Sequence, residues 1–356
     1  MEKIVLCIPS LEYGGAERVT VRLANCFCEK KHVYVITNRI CEKEYLLDSK
    51  VNRININSKN AFVFMKCFRN KMKELNPEFV IVMFAPMYIL IYLSMLGLKF
   101  TQIVSERNDP KHFAGKKIVK FLYQYVLKKA DGIVFQTKEA KEYFLKNDYI
   151  ANRVIYNPVD VSELPQRYNG KKEKVIVSIG RLHYQKNQKL LIDAFVLIHQ
   201  EIKDYKLTIY GEGELREELE LYINKCNAQD FIELFGNSDD VLNEIKNKAL
   251  FVLSSDFEGM PNALLEAMCL GLPVISTDCP CGGPSELIIN NKNGILVSVG
   301  NKEELSNAIL YLIKNPIIAN KLGDAAYKIR DTLDIKKIAE QWLEFCYQVK
   351  EKVSRC

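Results

Sequence analysis

Several familiar patterns are missing from this 356-residue sequence. It contains no Asp-x-Asp, the short acidic pair that would suit a bridging divalent cation. It also has no G-x-x-x-x-G-K-[ST], which excludes a P-loop nucleotidase. The four histidines are dispersed, and the eleven cysteines are scattered. The closest pairs, Cys26/Cys28 and Cys279/Cys281, have no second motif to complete a zinc site. Reduced thiols of a cytosolic protein are expected, with no metal and no cofactor. There is no low-complexity tract or short-period repeat. No zinc knuckle, aromatic RNA-binding motif or helix-turn-helix signal is present, so nucleic acid is not an expected partner.

Long apolar runs are equally scarce. MEKIVLCIPS has only about six apolar residues before Pro9, fewer than the roughly seven of a signal-peptide core, and it reads as a first strand. Phe79 to Leu98 runs without a charge and is long enough to cross a bilayer. Within it, however, FVIVMF is dense in β-branched and aromatic residues, and Ala85-Pro86 breaks the run. We read a buried strand, a turn and a buried helix.

What is present is an ordinary folded composition, 48% hydrophobic and 26% charged, in a chain long enough for two domains. The net charge of +6 is uneven: residues 1–170 hold 27 Lys and Arg against 17 Asp and Glu, and the remainder holds 23 against 27. The basic half should face something anionic, a lipid surface or a diphosphate. Short apolar runs alternate with helical patterns throughout, which implies parallel sheets built from βαβ units. The first series comprises KIVLCI, VYVIT, VNRINI, FVIVMF, TQIVS, GIVFQ and RVIYN. The second comprises KVIVSIG, KLTIYG, FIELFG, ALFVLSS, LPVIST and GILVSV. Polar Asn157 to Glu173, with two prolines and a glycine, is the linker between them.

Three strand-to-helix junctions offer backbone N–H groups to an anion. In SLEYGGAERV, Gly14 and Gly15 open the first helix, either as a phosphate turn or simply as a tight turn. In TIYGEGELREEL, Arg216 stands where a dinucleotide fingerprint needs a third glycine, so nicotinamide binding is disfavoured. The third, SSDFEGMPNALLEAMCLGLPVIST, is the most specific. Glu258 ends a loop, Pro261 is placed to begin a helix, and Glu266 follows about two turns in. A carboxylate thus stands on each side of a helix N-terminus. A sugar nucleotide needs that combination: N–H groups and a dipole for diphosphate, and carboxylates for hydroxyls.

Glu258 and Glu266 with GMPNALL between them resemble the E-x7-E signature of retaining, GT-B-fold glycosyltransferases of family 4, the glycosyl transferases group 1. The resemblance extends through GGAERV, SERNDP at 105–110, NPVD, GRLHYQKN at 180–187, YGEG at 210–213 and ISTDCPCGGPSELI at 275–288. It implies an α/β chain of two Rossmann-like domains facing across a cleft. Residues 1–165 would bind the acceptor and 166–335 the nucleotide sugar, with a helix at 336–356 packing back on the first domain.

The resemblance places Arg181 and Lys186 on the donor diphosphate, which agrees with the need for fixed cations beside a leaving nucleotide. It sets Glu266 on the ribose, Glu258 on the donor sugar and Gly211 near the nucleotide. The backbone of Asn262, Ala263 and Leu264 would meet donor oxygens, and Gly15 would approach the diphosphate from the other domain. Many members of the family it resembles carry a histidine at the end of a strand in the first half, near the reacting centre. Here the matching stretch is Ser105-Glu106-Arg107-Asn108-Asp109, and none of His32, His112, His183 or His199 falls there. Glu106 as a catalytic base, or Arg107 on a phosphate, would substitute, unless the two form a structural pair.

The resemblance implies a hexosyltransferase that moves a hexose or N-acetylhexosamine, UDP-linked, to a lipid-linked or oligosaccharide acceptor in bacterial capsule or lipopolysaccharide synthesis. It would lie in the cytoplasm, peripheral on the inner face of the membrane. Read as a helix, KNAFVFMKCFRNKMKEL sets Ala61, Met65, Phe68, Met72 and Leu75 on one face and Lys59, Lys66, Arg69 and Lys73 on another, the pattern of an interfacial anchor. Two other functions compete: a nucleotide-sugar epimerase or dinucleotide oxidoreductase, and a non-catalytic sugar-nucleotide module. The broken G-x-G-x-x-R weighs against the first. The intact set Arg181, Lys186, Glu258 and Glu266 weighs against the second.

Overall fold

Strands form where the β-branched runs lie, and helices where the apolar spacing becomes 3.6. The computed structural model describes residues 1–107, 117–145 and 150–355. Residues 108–110 of the SERNDP motif, and His112, lie outside the described residues. Two compact units result, Met1–Pro158 with Leu333–Cys356, and Val159–Thr332. The chain crosses between them at 158/159 and 332/333, where the resemblance implied 165/166 and 335/336; the first crossing falls within the polar segment Asn157 to Glu173. Val159 and Leu164 are buried, so the first part of the polar segment is packed chain rather than free linker.

In the first unit the strands are β1 (Lys3–Cys7), β2 (His32–Thr37), β3 (Asn52–Asn55), β4 (Phe79–Val82), β5 (Thr101–Glu106), β6 (Gly132–Phe135) and β7 (Ala151–Val154). They pair in parallel in the order β3-β2-β1-β4-β5-β6-β7. Between them run α1 (Gly15–Phe27), α2 (Ala61–Leu75), α3 (Tyr88–Met95), α4 (Lys117–Leu127) and α5 (Lys138–Phe144). The charge-free stretch is accordingly a strand, a short turn at Ala85–Met87 and a helix. Among the described residues no helix is long and apolar enough to cross a membrane.

The second unit holds β8 (Glu173–Ile179), β9 (Lys206–Tyr210), β10 (Ile232–Gly236), β11 (Lys248–Leu253), β12 (Val274–Thr277) and β13 (Ile295–Val297), paired in the order β10-β9-β8-β11-β12-β13. Its helices are α6 (Gln188–Ile198), α7 (Arg216–Lys225), α8 (Val241–Ile245), α9 (Asn262–Cys269), α10 (Gly283–Leu287), α11 (Lys302–Lys314), α12 (Pro316–Tyr327) and α13 (Arg330–Leu333). In each unit the strand order reverses once, at β1/β4 and at β8/β11. Ligands of doubly wound sheets bind at such reversals, outside the carboxyl ends of the strands.

The last helix, α14 (Ile335–Arg355), belongs to the first unit and packs with α1. Its stripe Ile338, Trp342, Phe345 and Val349 is buried with Ile4, Leu6 and Phe27. On the other side of the sheet α2 packs with α3 and α3 with α4. Here the helical-wheel reading of α2 is corrected. Asn60 caps the helix by accepting from the Phe62 and Val63 N–H groups, and the inward stripe is Phe64, Phe68, Met72 and Leu75. Ala61 is exposed and Met65 half-buried. Arg69 donates to the carbonyls of Ser94 (2.9 Å) and Leu96 (2.7 Å), so it secures the end of α3 rather than standing free.

A polar clasp holds α14 to the start of β1. Lys31 and the Tyr347 hydroxyl both donate to the Glu2 carboxylate, and Lys350 donates to Glu78 at 3.0 Å. The hydrogen bonds from Lys31 and Tyr347 pull Glu2 from its ordinary 4.5 to about 2. A carboxylate lowered in this way contributes stability above the ordinary value and loses it as pH falls toward the folded value. Glu2→Gln should therefore be less stable than the native chain at neutral pH, and the gap should close between about pH 4.5 and 2. Denaturant unfolding followed by the fluorescence of Trp342, the single tryptophan, measures it; a gap independent of pH would contradict the clasp.

Candidate active site

The reversal at β8/β11 gathers most of the residues singled out in the sequence. After β8 the chain turns sharply through Gly180 and Arg181. His183 accepts from the Gln185 N–H through Nδ1 at 3.2 Å and so caps the turn Tyr184–Lys186. Asn187, in the left-handed region at φ 42°, then caps α6. Arg181 is exposed. Burial and the charges of Arg181 and Lys186 hold His183 below its usual value, against the pull of Glu214.

After β11 the chain passes through Ser254, Ser255 and Asp256 to Glu258. The two loops are stitched together at several points. Asp256 N–H donates to the Gln185 carbonyl (2.9 Å), Ser254 Oγ to the Lys186 carbonyl (2.9 Å), and Asn187 Nδ2 to Asp256 Oδ1 (2.7 Å). At the centre Lys186 Nζ lies 2.5 Å from Glu258 Oε1, and Ser255 Oγ donates to the same oxygen at 2.7 Å. Gln185 donates to the Phe257 carbonyl at 2.9 Å. Glu258 is only 5% exposed; burial, and after it the charge of Glu258, pushes the Cys279 thiol up.

Close backbone packing explains the glycines. Gly211 has φ 127°, and a Cβ there would fall 2.2 Å from the Gly180 carbonyl; one at Gly213 would meet the Leu182 carbonyl at 2.2 Å. The G-x-G after β9 thus seats one loop on the next. A Cβ at Gly283 would fall 1.6 Å from the Gly259 oxygen. The loop after β12 is therefore pressed onto the Glu258 loop, and the Glu258 N–H reaches the Pro280 carbonyl at 3.4 Å.

Pro261, with ψ 108°, is the residue before α9 rather than its first turn. Glu266 consequently sits about one turn into the helix, not two, and is buried. The first intrahelical bond closes from the Leu265 N–H to the Pro261 carbonyl. The N–H groups of Asn262, Ala263 and Leu264 precede it, at the positive end of the helix dipole. Arg181, Lys186, Gly211, Glu258, residues 262–264 and Glu266 thus share the carboxyl edge of one sheet.

Gly15 and Glu106 belong to the other unit. Gly14 precedes α1 without a side-chain cap, and the Glu17 carboxylate folds over it, where a Cβ on Gly14 would meet Oε2 at 2.3 Å. Glu106 is buried and accepts from the Tyr123 hydroxyl of α4. A base role would require that contact to open. Arg107, next in sequence, donates to Ser105 Oγ (3.1 Å) and to Asn157. Burial lowers it to about 10, against the attraction of Glu17 and Glu106. Glu106 and Arg107 thus have separate hydrogen-bond partners. Ser255, Gln185, Asn157 and Gly283 carry no individual sequence signal, although all four lie within the quoted segments. Among the described residues no cluster of three or more His, Cys, Asp and Glu is placed to hold a metal ion.

Comparison with known proteins bears on the family and the fold. An uncharacterized glycosyltransferase of Haemophilus influenzae is 27% identical over 96% of this chain and 99% of its own. A Campylobacter jejuni α-1,4-N-acetyl-D-galactosaminyltransferase acting on a diNAcBac-PP-undecaprenol-linked GalNAc disaccharide is 27% identical over 98% and 99%. Anabaena Alr3699/HepE, solved in complex with UDP, superposes with a TM-score of 0.85 at 18% identity over 98% of this chain and all of that one, which establishes the shared GT-B fold. The profile described as Glycosyltransferase Family 4 matches residues 13–163, and that described as Glycosyl transferases group 1 matches residues 161–329. Between them they take in both the Gly14–Gly15 turn and the Lys186–Glu258 edge, and the chain belongs to this glycosyltransferase family.

Proposed function

We propose that the chain transfers a hexose or N-acetylhexosamine from a UDP-linked donor to a membrane-associated glycan or glycolipid in bacterial surface polysaccharide synthesis, with retention of the donor's anomeric configuration and without a metal. The observation that carries this reading is the Lys186–Glu258 pair beside the N-terminus of α9, at a strand-order reversal. Lys186 and Arg181 supply positive charge for the departing diphosphate, aided by the leading N–H groups of α9. Glu258 orients the donor sugar and Glu266 takes the ribose hydroxyls. In the first unit, Arg107 is better placed than the Tyr123-bound Glu106 to meet an anion at its own sheet edge. The UDP complex of the Anabaena protein and the lipid-linked substrate in the Campylobacter protein's name support the donor and acceptor classes.

Peripheral docking on an anionic membrane belongs to the same proposal. Helices α2, α3 and α4 carry six basic residues and one acidic. The layer exposes Phe62, Val63, Phe121, Leu122 and Tyr125. Apolar side chains among cations are what an interfacial surface requires, each cation being worth about 1 kcal/mol near anionic lipid.

Lys186→Ala and Glu258→Gln should each lower kcat by a factor on the order of 100. Lys186→Ala strands a buried carboxylate, a loss that reaches about 3–5 kcal/mol for a fully buried pair. The double variant therefore serves as the folding control. The wild-type reaction should persist in EDTA and give, by NMR, a product with the donor's anomeric configuration. Near-normal turnover in both variants, or an inverted product, would sink the assignment. For docking, cosedimentation with anionic vesicles should weaken with salt and fall when Lys66, Lys73 and Lys120 become Glu, Arg69 being left alone because it holds α3. Indifference to anionic vesicles at low salt would remove the membrane from the account.

A further inference from the structure

The other strand-order reversal, at β1/β4, also carries a feature. A groove of about 270 Å³ opens there, lined by Pro9 after β1, Ala61 and Phe64 of α2, and Met87 and Leu90 at the start of α3. Its polar neighbours are already engaged. Asn38 exchanges hydrogen bonds with the Ser58 backbone at 2.9 and 3.0 Å. Ser58 Oγ binds the Asn60 backbone, and Asn60 Oδ1 caps α2. Most of what faces the groove is hydrocarbon, and Lys59 is the one cation among its lining residues. Lys59 is exposed and has no ion-pair partner among the described residues. Exposed Phe62 and Val63 extend the apolar surface away from it along α2.

A sugar would need several polar side chains free to meet its hydroxyls, and here they are committed to the loop. The volume lies just below the roughly 300–1,000 Å³ that encloses a whole small ligand, so the groove suits a segment of chain. We propose that this groove binds the first part of the hydrocarbon chain of an anionic lipid acceptor, with Lys59 beside its phosphate and Phe62 and Val63 leading toward the bilayer. The inference rests on the glycolipid-acceptor reading above and specifies how the lipid is held. The matching of a lone cation and an apolar trough to a phosphate and its chain selects this occupant. The position is the one where doubly wound sheets receive ligands.

Farnesyl phosphate, kept below its aggregation concentration, is the probe. It is titrated calorimetrically into the full chain with UDP saturating, so that any phosphate affinity of the second unit is blocked. Wild type should bind it saturably at one site, and inorganic phosphate should bind far more weakly. Ala61→Trp places an indole at the mouth from an exposed helix position and should weaken farnesyl phosphate roughly tenfold or more, the worth of two buried methylenes. Lys59→Glu should weaken it as well. Retained UDP binding shows that the variants are folded. Equal affinity in wild type and Ala61→Trp, or inorganic phosphate binding as tightly as the prenyl compound, overturns the inference. Prenyl binding that Ala61→Trp abolishes, in a protein that binds no UDP and transfers no sugar, would uphold the groove and refute the transferase substrate reading instead.

Discussion

A buried carboxylate beside a lysine is the constraint around which the second unit is arranged. Glu258 is held between Lys186 and Ser255, and Lys186 is set there by the short turn Tyr184–Lys186 that follows β8. Two loops from strands on either side of the order reversal are thereby fixed in one geometry. Removing one member of a buried pair leaves the other uncompensated, whereas the intact pair adds little net stability. Under the proposed function its value lies in placement: a cation fixed before a ligand arrives requires less ordering on binding.

The glycines serve the same end. Gly211 and Gly213 let the loop after β9 rest against the carbonyls of residues 180 and 182, and Gly283 lets the loop after β12 press on Gly259. Each contact is backbone on backbone, so no flexible side chain can give way. A fingerprint that fails as a dinucleotide motif because Arg216 replaces a glycine is thus accounted for as loop packing. Arg216 itself pairs with Glu212 and Glu220 at 2.5 and 2.9 Å.

Both sheets were legible strand by strand, because parallel strands buried on two faces read as continuous β-branched runs bounded by glycine or polar residues. The grouping of Glu258, Glu266, Arg181 and Lys186 at one sheet edge was legible too, because each follows a strand-to-helix junction that the sequence marks. Other features were not. The stripe of α2 was rotated in the reading because Phe64 replaces Ala61 and Met65 in the core, which packing against α3 decides and periodicity does not. Arg69 has the helical spacing of a surface cation, but its carbonyl partners on Ser94 and Leu96 are distant in sequence. Proline favours a first helical turn, yet the extended ψ of Pro261 keeps the loop going. Glu106 carries no sequence signal for its partner, since Tyr123 is seventeen residues away on α4.

The central claim is that the Lys186–Glu258 edge of the second unit receives the nucleotide. Hydrogen–deuterium exchange of the full chain with and without saturating UDP addresses it directly, because it reads location rather than turnover. Protection concentrated at 180–187 and 258–266, with 61–75 unchanged, is the expected result. Saturable UDP binding that leaves both segments exchanging as before would contradict it.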